Sequence, residues 1–363
     1  MIMYLLLAMF PVILTPIVNS AYKASINKND RAKKTFLLCC GAVLFFMIAF
    51  RNQYVGTVDS HRYYNNWLFL RDLPRSMLGN YLQNSEMDTG YLVVVWALSH
   101  IFPNPQFVFI FSAILFVIAV CNFIYKNSED VCLSVVMFVC LGLYTFMVQG
   151  LRQAVAMCIC LFALELYKNK KYVRFVLLVL LATLFHKTAI IFLLVGFLRL
   201  LKMEWKSYTF VGLASATVLA GSGYIVEWSK VLFKEETYTT AAQAGGFIAT
   251  AIYVLILVVS FIFASKKQKK EDDFTLFFYI TYMGFFSYLL RYVELAILER
   301  ISYYFLFGQI ILLPKILGNF DNKVRNIVKT IVIILCVLLL AYRLSTSDLT
   351  PFVFFWQEHP NAV

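Results

Sequence analysis

Side chains able to do acid–base or anion chemistry are concentrated in residues 51–67, RNQYVGTVDSHRYYNNW, between two apolar runs. The segment joins one carboxylate to basic and aromatic side chains: Arg51, Asp59, His61, Arg62, Tyr63, Tyr64 and Trp67. Directly after a hydrophobic run, such a cluster indicates that a polar or charged substrate is handled at a membrane surface. Aromatic faces pack on sugar C–H surfaces and phenols hydrogen-bond hydroxyl groups, which favours a carbohydrate.

Asp59 has two interpretations. In a catalytic role it would be a base, or a carboxylate that orients a cation, facing a sugar hydroxyl. In a structural role it would form a salt bridge with Arg51, His61 or Arg62, or cap a turn. Tyr and Trp also gather at membrane interfaces, so the aromatic residues are compatible with anchoring as well.

A second cluster is VQGLRQ, residues 148–153, where Gly150 separates two apolar runs and Arg152 and Gln153 begin the next helix. A helix N-terminus carries partial positive charge and unpaired N–H groups. An added Arg makes an anion site that suits a phosphate or diphosphate. The alternative is an arginine that extends to the membrane interface, although Arg at this end opposes the helix dipole.

Two further clusters follow. In LFHKTA, residues 184–189, His186 can act as acid or base near neutral pH and Lys187 can meet a phosphate, although a single His is often structural. In RYVELAILERISYY, residues 291–304, Arg300 and Tyr304 are four positions apart and share a helix face. Arg300 would hold a phosphate or carboxylate, and Glu299 would either assist or only neutralise a neighbouring arginine.

The composition indicates the fold class. Of 363 residues, 61% are hydrophobic and 14% charged, whereas soluble domains carry roughly 25% charged residues. Because long apolar runs recur from end to end, the sequence predicts an all-α, polytopic transmembrane bundle forming a single domain, residues 1–363. The net charge of +12 comes largely from Lys and Arg in short loops, which is the bias of cytoplasmic loops and argues against nucleic-acid binding.

Hydropathy predicts about 12 to 14 crossings, with extracytoplasmic loops at 51–87 and 227–245. Residues 88–102 are interpreted as a re-entrant or half-membrane piece, and a missed amphipathic crossing near 63–82 is the alternative. The candidate spans are 2–19, 36–50, 88–102, 106–125, 131–149, 153–167, 172–186, 188–201, 208–226, 246–264, 274–290, 301–318 and 326–344.

Cofactor and metal chemistry have no support in the sequence. All eight cysteines lie in apolar runs without a CxxC pair, as is typical of small buried side chains. Phosphate-binding loops, zinc-protease and serine-hydrolase motifs and dinucleotide fingerprints are absent from the sequence. We therefore expect neither a cofactor nor a metal.

Five short motifs in order resemble the EpsG family of bacterial exopolysaccharide proteins, a Wzy-like polymerase group. They cover nearly the whole chain, with two departures from the family pattern: Val58 separates Thr57 from Asp59, which are adjacent there, and Pro351-Phe352 replaces Pro-Tyr in the tail. The motifs are VGTVDSHRYY after Arg51, LRQAVA at 151–156, FHKTA at 185–189, ERISYYF at 299–305 and PFVFFW at 351–356.

The resemblance implies a metal-independent, GT-C-like glycosyltransferase that polymerises undecaprenyl-diphosphate-linked oligosaccharide repeats at the outer face of the bacterial cytoplasmic membrane. Its partners would be that substrate, membrane lipid and a chain-length regulator. Joined to the residue chemistry above, it gives Asp59, Arg152, His186 and Arg300 as candidate catalytic residues. The candidate substrate-binding residues are Arg51, His61, Tyr63, Tyr64, Gln153, Lys187, Glu299 and Tyr304.

Three other functions remain open. A ligase that transfers finished glycan, as in O-antigen attachment, needs the same anion site. A membrane acyltransferase would use His186 as its base. A lipid-linked oligosaccharide flippase or transporter would instead spread its charges along a central path through the membrane.

Overall fold

A computed structural model describes residues 1–56, 58–224, 227, 246–266, 268–293, 296–345, 347 and 349–359. These residues are mostly helical, and the only β-type pairing among them is an isolated bridge between Arg51 and Phe354, so the predicted all-α class is confirmed. Apart from Glu227, the predicted loop 227–245 lies outside the described residues. The α-helices are α1 (Ile2–Ala21), α2 (Asp30–Ala49), α3 (Val58–Asp72), α4 (Arg75–Asn84), α5 (Thr89–Ile101), α6 (Phe107–Asn127), α7 (Val131–Cys140), α8 (Leu143–Gln149), α9 (Leu151–Lys168), α10 (Tyr172–Thr183), α11 (Val195–Leu198), α12 (Trp205–Ala220), α13 (Gly246–Phe263), α14 (Asp272–Leu289), α15 (Ala296–Ser302), α16 (Gln309–Leu317) and α17 (Asn322–Ser345).

Within the described part of the chain, six helices are long and apolar enough to cross a membrane: α1, α2, α6, α13, α14 and α17. Helices α7 and α8 meet at a bend of 52° and make a seventh crossing if they are one broken span. Several long apolar helices in one chain are the architecture of a polytopic helical membrane protein.

The long apolar helices among the described residues are fewer than the predicted 12 to 14 crossings, because many apolar runs fold as short pieces. The predicted span 188–201 is replaced by a 3₁₀ helix, Lys187–Leu194, and the four-residue α11. Residues 301–318 contain a 3₁₀ turn, Leu306–Gly308, before the nine-residue α16. Hydropathy predicts that such runs are spans, because it measures only how apolar they are. A broken helix at membrane depth is tolerated where neighbouring protein satisfies its backbone hydrogen bonds.

The region predicted as a loop at 51–87 is mostly helical, since it contains α3 and α4. Neither is a spanning candidate, so a missed crossing near 63–82 is not supported. The next helix, α5, has 13 residues and is about 20 Å long, well short of a hydrocarbon core of about 30 Å. Its length fits a piece that enters the membrane part-way.

The core of the bundle is built on α7 and α9. Every residue of α7 is buried, as expected of a helix that is apolar on all sides, and it packs against α1, α16 and α17. Helix α9 packs between α6 and α10. Arg152 and Lys168 lie at its two ends, so the centre of the bundle fixes the position of both.

Candidate functional site

The partner of Arg152 is Asp88, the residue that precedes α5. Arg152 Nη1 donates to Asp88 Oδ2 at 2.8 Å, and Asp88 is only 7% exposed. Although Asp88 occupies the N-cap position of α5, its side chain makes no capping hydrogen bond. The carboxylate instead faces Arg152, where it offsets the cost of placing an arginine at a helix N-terminus.

His186 lies near the same carboxylate oxygen. Its Nδ1 is 3.5 Å from Asp88 Oδ2, and its side chain is buried. Among the described residues this nitrogen has no hydrogen-bond partner of good geometry. A small rotation of the imidazole would bring Nδ1 within hydrogen-bond distance of the carboxylate.

Gly90 fixes the distance between Asp88 and His186. Its N–H donates to the carbonyl oxygen of Leu184, two residues before His186, at 2.8 Å. A Cβ atom at position 90 would lie 2.7 Å from that oxygen. Only glycine therefore allows the start of α5 to approach the turn that carries His186.

Tyr63 brings α3 to the same place. Its hydroxyl experiences the charges of Arg152, Asp59 and Arg300. Burial raises the pKa of Tyr63, so at neutral pH the hydroxyl keeps its proton and can donate it in a hydrogen bond. The ring packs edge-on against Tyr91 of α5, with centroids 5.6 Å apart, which holds α3 against α5.

The first turn of α9 also contacts the helix that carries Arg300. Gln153 Nε2 donates to the backbone oxygen of Arg300 at 2.6 Å. Thr188 Oγ1 donates to the Tyr304 hydroxyl at 3.3 Å. The chain segments around 152, 186 and 300 are thus hydrogen-bonded to one another, although they are far apart in sequence.

Glu299 faces a buried arginine and not the ion pair of Asp88. Arg291 Nη1 donates to Glu299 Oε1 at 3.0 Å and to the Tyr288 hydroxyl at 2.6 Å. Burial raises the pKa of Glu299, and the charge of Arg291 opposes that rise. Glu299 therefore has the charge partner that the neutralising interpretation requires.

Arg51 is enclosed by protein. Its side chain is 0% exposed, its guanidinium lies 4.3 Å above the Phe109 ring, and Nη2 approaches Ser60 Oγ at 3.4 Å. Burial lowers its pKa to about 10. Because Arg51 has no exposed surface and contacts Ser60 of α3, it supports the position of that helix.

The other predicted binding residues lie around this centre. His61 stacks on Tyr54 at 4.9 Å, and its ring nitrogens lie 3.1 Å from Gln53 Oε1 and 2.8 Å from Asn65 Nδ2. Tyr64 is half-buried, and Lys187 is exposed. None of these contacts involves the Asp88–Arg152 pair.

Sequence reasoning missed Asp88 and Gly90. Asp59 is the acid within the aromatic segment, whereas Asp88 lies 21 residues beyond the end of that segment at Trp67. A usable signal was present: Asp88 directly precedes an apolar run that contains no arginine or lysine. A carboxylate at that position must take its partner from elsewhere in the bundle.

The assembled side chains suit anion binding combined with proton transfer. Arg152 and Arg300 carry positive charge, Asp59 and His186 are residue types that can accept a proton, and Asp88 is paired with Arg152. For metal binding the described residues offer no group of three His, Cys, Asp or Glu side chains.

Comparison with known proteins gives one match. A sequence model of the EpsG family matches residues 34–355, nearly the whole chain, which confirms the resemblance drawn from the short motifs. No curated protein and no solved structure matches the chain.

Proposed function

The chain belongs to the EpsG family, and from that premise we propose that it joins undecaprenyl-diphosphate-linked repeat units. The family points to a Wzy-like, glycosyltransferase-like polymerase of polysaccharide biosynthesis with a lipid-linked saccharide substrate. The reaction takes place at the outer face of the bacterial cytoplasmic membrane. The lipid diphosphate is the leaving group, and the site at Asp88, Arg152 and His186 carries the chemistry.

The convergence of side chains on Arg152 is the observation that supports this proposal. Arg152 contacts Asp88 from the start of α5 and Tyr63 from α3. The neighbouring Gln153 holds the segment of Arg300, and His186 lies beside Asp88. Ionisable side chains are costly inside an apolar bundle and mark functional sites there, and this group joins five separate chain segments.

The proposed reaction is a displacement at the anomeric carbon of one saccharide. The bond from that carbon to the lipid diphosphate breaks, and a bond to a hydroxyl oxygen of the second saccharide forms. Negative charge develops on the departing diphosphate, where Arg152 and Arg300 stabilise it. Asp88 is a positioning residue, because its buried carboxylate fixes the guanidinium of Arg152.

The hydroxyl proton passes to Asp59 or to His186. Asp59 lies in the first turn of α3, close enough for its charge to raise the pKa of Tyr63, on which Arg152 acts in the opposite direction. His186 has Asp88 beside Nδ1, an arrangement that orients an imidazole for proton transfer. Asp59→Asn and His186→Gln separate the two, since only loss of the true base removes the proton acceptor.

The test is complementation of a strain from which the gene has been deleted. Arg152→Ala should abolish long polymer while single repeat units accumulate on lipid, because loss of one well-placed donor lowers a rate by about 10² to 10³. Arg174→Ala, an exposed arginine on α10, is the matched control and should restore wild-type polymer. Normal polymer from Arg152→Ala at equal expression would contradict the proposal.

The same strains distinguish the rival functions. A ligase defect leaves polymer on its lipid carrier, and a flippase defect leaves no repeat unit outside. The outer face is tested with Lys187→Cys in a cysteine-free chain, because this position is exposed and close in sequence to His186. A membrane-impermeant maleimide should label it in intact cells, and labelling only after lysis would reverse the proposed orientation.

A further inference from the structure

A cleft of about 460 Å³ opens between α3 and α4. Its wall is polar and aromatic, with His61, Asn65, Asn66, Phe69 and Tyr81 among the lining residues. Another lining residue, Met87, directly precedes Asp88. The cleft therefore adjoins the ionic centre, formed by Asp88, Arg152 and His186, but is built from different side chains.

Asn66 is the informative residue in this wall. It is 8% exposed, and its Nδ2 donates to the Tyr81 hydroxyl at 3.1 Å. Its Oδ1 is buried without a hydrogen-bond partner among the described residues. Turning the amide over would pair the oxygen and leave the NH₂ group without that partner, so one end of the amide is unsatisfied in either orientation.

A buried amide atom without a partner is costly, and native proteins keep few of them. Because Asn66 lines the cleft, a ligand that enters the cleft and turns the amide toward itself can supply the missing hydrogen bond. The complementary group is a hydroxyl, which both donates and accepts and so suits either orientation of Asn66.

The charge of the cleft favours an uncharged ligand. Its arginine, Arg62, lies on the surface and is paired with Glu86 at 3.4 Å. A diphosphate would gain more at Arg152, which is largely buried in the bundle. The cleft is therefore matched to the sugar part of a lipid-linked saccharide and the ionic centre to its diphosphate.

The aromatic side chains suit the same ligand. Phe69 and Tyr81 lie with ring centroids 5.0 Å apart and planes inclined by 44°, and Phe69 is half-exposed at the cleft. Such rings present flat faces to the C–H surface of a sugar, while Asn66 and Tyr81 present polar groups to its hydroxyls.

We propose that this cleft is a saccharide subsite in which Asn66 hydrogen-bonds a sugar hydroxyl and Phe69 and Tyr81 pack against the ring. That the saccharide is the enzyme's own substrate rests on the proposed function. Asn66 and Tyr63 are three positions apart on α3 and are neighbours on the helix surface. A sugar in the cleft would thus lie within about one helical turn of the side chain that contacts Arg152.

The experiment measures binding to the purified full-length protein in detergent. The probes are oligosaccharides of one repeat and of several repeats, released by partial acid hydrolysis of the cell's own surface polysaccharide. Asn66→Leu, which keeps the volume but removes both polar atoms, should weaken binding about tenfold. Phe69→Ala should also weaken it, whereas Asn80→Ala, an exposed change on α4 outside the cleft wall, should bind as the wild type does.

Two arms identify the source of the sugar. Tighter binding of the longer probe assigns the cleft to the growing polymer, and equal binding of the single repeat assigns it to the incoming unit. Equal affinity of wild type, Asn66→Leu and Phe69→Ala would overturn the subsite. If these variants do not fold, a diazirine-labelled oligosaccharide is crosslinked to the wild type, and crosslinks that avoid residues 61–87 would overturn it.

Arg152→Ala separates the two proposals. It should keep its affinity for the oligosaccharides and lose polymer synthesis. Retained polymer synthesis by Arg152→Ala would contradict the role of Arg152 but not the saccharide subsite. Unchanged oligosaccharide affinity of Asn66→Leu would contradict the subsite but not the role of Arg152.

Discussion

The two ends of α9 carry similar residue types but use them differently. Both have a charged side chain on the helix and a charged or amide partner from another element: Arg152 with Asp88 at the N-terminal end, Glu165 with Asn127 at the C-terminal end. Both partners are buried. The ends differ in how completely the polar atoms are paired.

At the C-terminal end the pairing is complete. Asn127 Nδ2 donates to Glu165 Oε1 at 2.6 Å, and Lys168 Nζ donates to Asn127 Oδ1. Lys168 also lies 2.8 Å from Asp273 at the start of α14. A network in which every member has a partner fixes α6, α9 and α14 relative to one another.

At the N-terminal end several atoms lack partners within the described part of the chain: Arg152 Nε, Gln153 Oε1 and His186 Nδ1. Native interiors keep few such atoms, and those that persist call for an explanation. The saturated end holds the bundle together, and the unpaired atoms at the other end support the proposal that a substrate binds there.

The largest effect expected from this comparison follows Asp88→Asn. The amide can still accept a hydrogen bond from Arg152, but the charge that holds the guanidinium is lost. We expect polymer synthesis to fall about a hundredfold, measured by gel sizing of surface polysaccharide per amount of membrane protein. Asp72→Asn, which alters an exposed pair with Arg71, is the control. Wild-type synthesis by Asp88→Asn would remove the distinction between the two ends.

Gly90→Ala tests the geometry of the same end without changing its charge. The added methyl group would lie 2.7 Å from the Leu184 carbonyl oxygen and push α5 away from the His186 turn. Small misplacements of reacting groups slow enzymes strongly, and we expect a loss of about tenfold. Gly79→Ala on α4, where nothing lies within 4 Å of the new Cβ, should have no effect. Equal activity of the two variants would show that the close approach is unimportant.

Lys187→Ala should have a smaller effect, about twofold to threefold. The side chain is exposed, and salt screens exposed charges. The difference from the wild type should shrink as ionic strength rises, whereas that for Arg152→Ala should persist. Lys171→Ala, an exposed lysine at the start of α10, is the matched control. A loss as large as that of Asp88→Asn would extend the ionic centre to Lys187.

The smallest effect on synthesis is expected at the saturated end. Glu165→Ala leaves the Asn127 amide without its carboxylate, which should lower the free energy of unfolding by about 1 to 3 kcal/mol. Thermal unfolding in detergent measures this loss, and Glu165→Gln, which keeps an acceptor oxygen, should lose less. Activity per folded molecule should stay the same, and a fall in that value would give this end a catalytic role.

The contrast also marks what sequence reasoning can reach. The all-α membrane class follows from composition, and the family follows from five motifs in order, as the match to residues 34–355 confirms. Arg152 stood out because an arginine at a helix N-terminus opposes the dipole. Packing brings Arg152, Gln153 and His186 into contact with other chain segments, and a single sequence does not specify that packing.

The difference between the predicted crossings and the long apolar helices among the described residues has a physical reason. Hydropathy measures how apolar a run is, whereas the bend of 52° between α7 and α8 and the 3₁₀ helix at Lys187–Leu194 depend on buried neighbours. Asp88 escaped notice for a related reason: its importance comes from a partner 64 positions away. Both cases concern contacts that are local in space and distant in sequence.

The pairing of the C-terminal segment with the Arg51 segment has a consequence for biogenesis. Phe355 N donates to Phe50 O, and Asn52 Nδ2 donates to the carbonyl of Gln357, 305 positions later. A ribosome must therefore synthesise almost all of the intervening chain before the Arg51 segment can form these contacts. Nascent chains that stop earlier would lack these backbone contacts beside Arg51.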